Sequence, residues 1–229
     1  MMNDAIVIVA AMPGELKPLV RSWAALETRD GVDGWQHPSG PIMAFAGGMG
    51  AAAAMRAFAR ARQVCEPIQL ISVGWAGALR AELAPGAIVK ASMVRDLNTG
   101  EMYAAEGNGG LLLTSSRVAI REEKHRLGRT YDGSVAVDME AATLARLATA
   151  NGLHFRAIKA ISDTLEEDLP DMNPFVTAAG RFATARFIAH VATKPKHWNA
   201  LAQFGKQAKL AADNLCAAIA DEIGIERPR

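Results

Sequence analysis

Cysteine is scarce in this sequence, and its pattern argues for a reducing environment. The 229 residues contain two cysteines, Cys65 and Cys216, which lie in alanine-rich segments and form no CxxC pair. Isolated thiols of this kind are typical of reduced core residues, whereas small secreted domains are rich in disulfides. The apolar run at residues 5–12 has no basic residue before it and no cleavage pattern after it, which favours a first strand over a signal peptide. We therefore expect a cytoplasmic protein.

An excess of one charge is also lacking. The chain has 25 basic and 24 acidic residues, a net charge of +1, which argues against a nucleic acid as the main partner. No apolar run approaches the roughly 20 residues that a membrane span needs. Hydrophobic residues make up 50% of the chain, enough for a sizeable core. The length favours one domain over residues 1–229.

The motifs of several enzyme classes are missing. The five histidines are scattered and form no HxxxH, HExxH or Cys/His cluster, so neither a metal nor another cofactor is expected. The GxSxG motif of serine hydrolases and the phosphate-binding P-loop are absent as well. The chemistry must therefore come from glycine-rich turns and from carboxylates that follow predicted strands.

The most informative stretch covers residues 135–164, VAVDMEAATLARLATANGLHFRAIKAISDT. Its pattern predicts a strand, a helix and a second strand, with Asp138 and Glu140 after the first strand and Asp163 at the end of the second. Because strands joined by a crossover helix usually pair in parallel, we predict that these carboxylates share one edge of the sheet. Open α/β sheets bind ligands at that edge, and buried acids need a partner or a function.

Other segments supply further junctions between strands and helices. A helix is predicted at residues 15–25, and it places Glu15 in its first turn, where an acid also complements the helix dipole. The glycine turn at residues 47–50 opens an alanine-rich helix. The remaining predictions are an exposed, charged helix at 121–129, a polar loop and candidate lid at 165–174, and two final helices at 177–193 and 198–223.

Two motifs, DMEAA at residues 138–142 and AISD at residues 160–163, resemble those of the nucleoside phosphorylase superfamily. The resemblance is supported by Met12 and Glu15, by the turn at residues 47–50 and by SVGWAG at residues 72–77. Within the superfamily, the chain is most similar to the methylthioadenosine/adenosylhomocysteine nucleosidases and the hopanoid-associated phosphorylases. This resemblance implies a three-layer α/β sandwich with a central mixed, mostly parallel sheet, and a homo-oligomer, often a dimer.

The resemblance also implies cleavage of the N-glycosidic bond of a purine ribonucleoside, with adenine favoured. Carried over, Asp163 protonates the purine as it leaves, and Ser162 orients Asp163. Glu140 accepts hydrogen bonds from the ribose hydroxyls, Met139 packs on the sugar, and Glu15 activates water. The other implied substrate-binding residues are Asp138, Gly74, Trp75, Val118, Ala119 and Met49.

This division of roles makes chemical sense. Breaking the C–N bond produces an oxocarbenium-like ribose and a poor leaving group, so an acid is needed near the base and a carboxylate near the sugar. Each acid alone could be a helix cap or a dipole partner. Because Glu15, Glu140 and Asp163 all fall at junctions between strands and helices, a shared site explains them better than three separate caps.

The chain departs from the family at several positions. Trp75 stands where the nucleosidases usually have serine, and Val118 stands where they have a purine-stacking phenylalanine. Pro18 and Ser72 occupy positions where the phosphorylases carry phosphate-binding arginines. The missing arginines favour water slightly over phosphate as the acceptor, and the less polar pocket suits a large apolar 5′ substituent.

Two alternatives from other functional classes remain open. Gly48, Gly50 and Ala53 fit a degenerate dinucleotide fingerprint, which would suit a Rossmann-type oxidoreductase, although the next predicted strand ends without the acid that binds a ribose. The departures at Trp75 and Val118 would suit a nucleoside-binding protein that lacks catalysis.

Overall fold

The computed structural model describes residues 4–167, 172–177, 180, 182–183, 186–187 and 198–227. The strands within these residues are β1 (Asp4–Ala10), β2 (Ala24–Ala25), β3 (Asp33–Gln36), β4 (Ile42–Ala46), β5 (Glu66–Ala78), β6 (Ile88–Lys90), β7 (Met93–Asp96), β8 (Met102–Ala104), β9 (Leu111–Thr114), β10 (Ser134–Asp138) and β11 (His154–Asp163). The helices are α1 (Pro13–Leu16), α2 (Ala51–Val64), α3 (Arg121–Thr130), α4 (Ala141–Asn151) and α5 (Trp198–Ile223), with a 3₁₀ turn at Asn173–Phe175.

The strands form one mixed sheet, as predicted, but the sheet is not mostly parallel, since the described strands form five parallel and five antiparallel pairs. Its main path runs β2-β3-β4-β1-β5-β10-β9-β7-β8, while β11 pairs with β5 and β6. Strands β4, β1, β5 and β11 pair in parallel at the centre, and β9 runs parallel to both β10 and β7. The other pairs are antiparallel and include those at the β2 and β8 edges.

Helices cover both faces of the sheet, which gives the three-layer arrangement. Alternate residues of β1 enter two different cores: Val7 and Val9 pack with α2 and α4, whereas Ile8 and Ala10 pack with α1 and α5. A continuous apolar run is what a strand buried on both faces requires. The helices of the described segments are too short or too polar to traverse a bilayer.

Strand β5 is the longest strand of the described residues and pairs with β1, β10 and β11. Its Gly74 has a φ of 137°, which is unfavourable for residues other than glycine. A Cβ atom at Gly74 would lie 2.9 Å from Oε1 of Glu15. The absence of a side chain at this position therefore leaves room for the Glu15 carboxylate beside the strand.

The predicted parallel pairing of the two strands of residues 135–164 is wrong. Strand β5 lies between them, with β10 antiparallel and β11 parallel to it. The ends of the two strands nevertheless meet, because Gly77 of β5 is opposite both Val137 and Asp163. The carboxylates come together because β10 and β11 reach the end of β5 from opposite directions.

Two predicted helices also differ from the structure. The helix predicted at residues 15–25 is limited to α1, which is followed by turns and by β2. Pro18 explains this end, since it has no N–H with which to bond the Gly14 carbonyl. The predicted exposed helix at 121–129 corresponds to α3, but Lys124 and Leu127 are buried in it.

The final helix predicted at 198–223 is confirmed as α5. The helix predicted at 177–193 lies largely outside the described residues, and so does the middle of the polar loop predicted at 165–174.

Candidate active site

A cavity of about 800 Å³ lies where β1, β4, β10 and β11 end, beside residues 75–77 of β5. Residues from each of the motifs recognised in the sequence line it. The predicted site residues found in its wall are Met49, Glu15, Trp75, Val118, Ala119, Asp138, Met139, Glu140, Ser162 and Asp163. Gly74 lies outside the lining, next to the Glu15 carboxylate, where a side chain would collide with Glu15.

Glu15 reaches the cavity from α1 and is 3% exposed. Its Oε2 atom accepts a hydrogen bond from the Met12 N–H at 2.8 Å, and its Oε1 atom accepts one from the Trp75 N–H at 2.9 Å. Burial raises the pKa of Glu15, although these N–H groups and the charge of Lys159 oppose the rise. Glu15 thus caps α1 and also presents a buried carboxyl group of raised basicity.

Glu140 links the DMEAA motif to the glycine turn. Its Oε1 atom accepts a hydrogen bond from the Gly50 N–H at 2.6 Å. Burial, together with the negative charge of Asp138, raises the pKa of Glu140 to about 8, against the opposing effect of Lys159. The folded protein therefore holds the Glu140 proton more tightly than a solvated glutamate would.

Asp138 and Lys159 form a buried ion pair between β10 and β11, with Oδ2 and Nζ 2.9 Å apart. The remaining Asp138 contacts are also internal, because Oδ1 accepts from the Thr114 hydroxyl and Oδ2 accepts from the Ala141 N–H. Burial lowers the pKa of Lys159, but the Asp138 and Glu140 carboxylates outweigh it and raise the pKa overall. Lys159 is a neighbour of the site that the sequence reasoning missed.

Asp163 and Lys124 form a second buried ion pair, with Oδ2 and Nζ 2.7 Å apart. The Ser162 hydroxyl donates to Oδ1 of Asp163 at 2.8 Å. The sequence reasoning missed Lys124 because α3 is rich in charge. Its spacing of three residues from Leu127, which places the two on one helix face, was the available signal.

Part of the cavity wall is apolar. Met172, Phe182, Phe187 and Phe204 line it, and none of these residues was predicted. Val118 is fixed nearby, since its N–H donates to Oδ1 of Asn173 at 2.8 Å. The lining of the site therefore combines carboxylates with aromatic side chains.

The raised pKa of Glu140 predicts a dependence of stability on pH. The folded protein holds this proton more tightly than the unfolded chain does, so stability falls as pH rises from about 4.5 towards about 8. Glu140→Gln cannot ionise and avoids this loss. We expect the variant to gain about 1–3 kcal/mol in unfolding free energy relative to wild type between pH 5 and pH 8, measured by urea denaturation. Glu82→Gln, at an exposed position, is the control, and equal pH dependence for Glu140→Gln and wild type would contradict the prediction.

Comparison with known proteins identifies the family. A family model for the phosphorylase superfamily matches residues 5–110 and 108–220. No curated protein sequence matches the chain.

Three solved nucleosidases are similar in fold. The 5′-methylthioadenosine/S-adenosylhomocysteine nucleosidase of Neisseria meningitidis, in complex with methylthio-immucillin-A, is 17% identical with a TM-score of 0.68 over 96% of this chain and 99% of that one. The corresponding enzyme of Colwellia psychrerythraea, in complex with adenine, is 20% identical with a TM-score of 0.68 over 97% and 96%. The S-adenosylhomocysteine nucleosidase of Streptococcus pyogenes is 23% identical with a TM-score of 0.60 over 72% and 86%.

At these identities the solved structures establish the fold alone. The family match, in contrast, extends over nearly the whole chain and includes every carboxylate of the cavity. The chain therefore belongs to the phosphorylase superfamily.

Proposed function

We propose that this protein cleaves the N-glycosidic bond of a purine ribonucleoside, with adenine as the favoured base. The observation that carries the proposal is that Asp163 and Glu140, from two separate motifs, line the same cavity. As the bond breaks, the base needs a proton and the sugar needs a negative charge nearby. This cavity offers a carboxyl group for each. Solved relatives hold adenine or a nucleoside analogue, which agrees with the proposal.

Asp163 serves the base. A purine leaves as an anion unless a proton reaches one of its ring nitrogens, and a carboxyl group at the cavity wall can deliver that proton. Ser162 holds one carboxylate oxygen at 2.8 Å and so fixes the direction of the group. Val118 and Ala119 line the same cavity and offer an apolar surface to the base.

Glu140 serves the sugar. Its Oε1 atom is held by the Gly50 N–H at 2.6 Å, which fixes the carboxyl group in the cavity. Once ionised, the group accepts hydrogen bonds from ribose hydroxyls and stabilises positive charge on the ring as the bond breaks. Met139, also in the wall, supplies an apolar contact for the sugar.

Water is the proposed acceptor, because the charge of the cavity disfavours phosphate. The described lining has one basic residue, Arg117, which pairs with Glu123. The acidic residues in that lining are Glu15, Asp33, Asp138, Glu140 and Asp163. A phosphate dianion would gain little attraction there, because Arg117 pairs with Glu123, whereas a water molecule can lose a proton to Glu15.

The apolar residues of the cavity wall support a nonpolar 5′ substituent on the nucleoside. Met172, Phe182, Phe187 and Phe204 offer an apolar wall to such a group. A charged or strongly hydrated substituent would lose hydration there without gaining a partner.

The other two functions are less well supported. A dinucleotide phosphate at the glycine turn would need the Gly50 N–H, and this group already donates to Glu140. A binding protein without catalysis has no evident use for buried acids held by N–H groups and ion pairs.

The test is base release from adenine ribonucleosides that differ at the 5′ position. We expect adenine and a free ribose sugar as products, at a rate that phosphate does not change. The products are measured by chromatography with and without about 20 mM phosphate, a large excess over the enzyme. Formation of a ribose 1-phosphate would overturn the choice of water. Tight nucleoside binding with no base release over hours would favour the binding protein, and a response to a dinucleotide would favour the oxidoreductase.

A further inference from the structure

The least expected feature of the site is a lysine that does not line the cavity. Lys124 is 1% exposed, and its ammonium group lies behind Asp163 at 2.7 Å from Oδ2. The ammonium also donates to the carbonyl groups of Thr164 and Glu167, the latter at 3.4 Å. All three contacts hold it at the end of β11.

A buried ion pair of this kind is costly to maintain. The attraction between two buried charges offsets only part of the free energy lost when they leave water. A protein with an apolar pair of similar size in their place is often as stable. Lys124 therefore requires an explanation beyond fold stability. The explanation offered by the geometry is that Asp163, which faces the cavity, has the ammonium as its immediate proton source.

The other ionisable groups near Lys124 engage different partners. Among the described residues of α3, β10 and the turn after β11, these contacts are Glu123 with Arg117 and Arg126, His125 with Glu166, Asp138 with Lys159, and Glu167 with the Thr164 N–H and Gln207. Asp163 is thus the carboxylate in this part of the chain that contacts the Lys124 ammonium.

We propose that Lys124 is a positioning residue that acts through Asp163: it holds the carboxylate and replaces the proton that Asp163 gives to the departing base. This inference rests on the proposed function. In the step, the bond between the sugar and the base nitrogen breaks, and its electron pair goes to the base. One proton passes from Asp163 to a ring nitrogen of the base, and one passes from Nζ of Lys124 to Asp163. The base leaves neutral, and the neutral lysine regains its proton from solvent.

The proposal predicts how substitutions change the pH profile of base release. Without Lys124, the proton must be held by the carboxyl group alone, and carboxylic acids lose protons at lower pH than ammonium groups do. Lys124→Met, which keeps most of the length of the side chain and removes the ammonium group, should lower kcat/KM at pH 8.5 by roughly 100-fold, within the range of general acid catalysis. The alkaline limb of the pH profile of this variant should move to lower pH by at least about one unit. The difference in kcat/KM between wild type and variant should therefore be smaller at pH 5.5.

Lys124→Arg tests whether the positive charge of Lys124 or its ability to donate a proton is needed. A guanidinium group keeps the positive charge beside Asp163 but does not give up its proton in proteins. We therefore expect this variant to remain impaired at pH 8.5. Lys209→Met removes an exposed lysine of α5 and serves as the control for net charge.

The experiment measures base release from pH 5 to pH 10 for wild type and these variants. An unshifted alkaline limb in Lys124→Met, or wild-type rates in Lys124→Arg, would overturn the inference while leaving the proposed function intact. If Lys124→Met does not fold, Lys124→Arg decides the question by itself, since it preserves the ion pair. A wild-type protein that releases no base from any nucleoside would overturn both proposals.

Discussion

Asp163→Asn should lower kcat for adenine release by about 100- to 10,000-fold, which is the range over which general acids contribute. Asparagine has nearly the same shape as aspartate. It can therefore still accept a hydrogen bond from the Ser162 hydroxyl, which in the wild-type protein donates to Oδ1 of Asp163 at 2.8 Å. It cannot deliver a proton to the base. The KM for the nucleoside should therefore change little while kcat falls, as measured by steady-state kinetics.

A substrate with a better leaving group provides the control for Asp163→Asn. A 4-nitrophenyl riboside needs little protonation, because nitrophenolate is stable as an anion. If Asp163 is the acid, the variant should lose far less activity on this substrate than on an adenine nucleoside. Equal losses on both would mean that Asp163 acts by holding the structure, for example through its ion pair with Lys124.

Glu15→Gln should have a comparable effect on hydrolysis, about 100- to 10,000-fold in kcat. Glu15 is the carboxylate held between the N–H groups of Met12 and Trp75, and burial raises its pKa, which makes it a stronger base. Activity that needs this base is absent at low pH, where Glu15 is protonated, and rises as pH passes the raised pKa. Glutamine removes the base, so the acidic limb of the pH profile should disappear with it.

Azide can test the role of Glu15 directly. As an anion, azide attacks without losing a proton and needs no base, so it should restore base release in Glu15→Gln and give a ribosyl azide that mass spectrometry detects. Glu82→Gln, at an exposed position, should behave like wild type throughout. Azide that fails to rescue the variant would show that Glu15 has a role other than deprotonating the acceptor.

Much of the site was predictable because its motifs are local. DMEAA and AISD each follow a run of apolar residues, and Glu15 follows the first strand, so their positions at strand ends could be inferred from hydrophobic patterns alone. Lys124 was not predictable in this way. Its partner Asp163 lies 39 residues later in the chain, and the residues around Lys124 are those of an ordinary solvated helix.

The sequence by itself determined the α/β class, the membership of residues 135–164 in two strands and a helix, and the presence of three acids at strand ends. These features depend on the periodicity of apolar residues and on short motifs, which are properties of neighbouring positions. Only the tertiary structure decided the direction of β10 relative to β11 and the partner of each buried carboxylate. An apolar run records that a strand is buried but not the direction of its neighbours, and here the pairing of β5 with both strands settles that geometry.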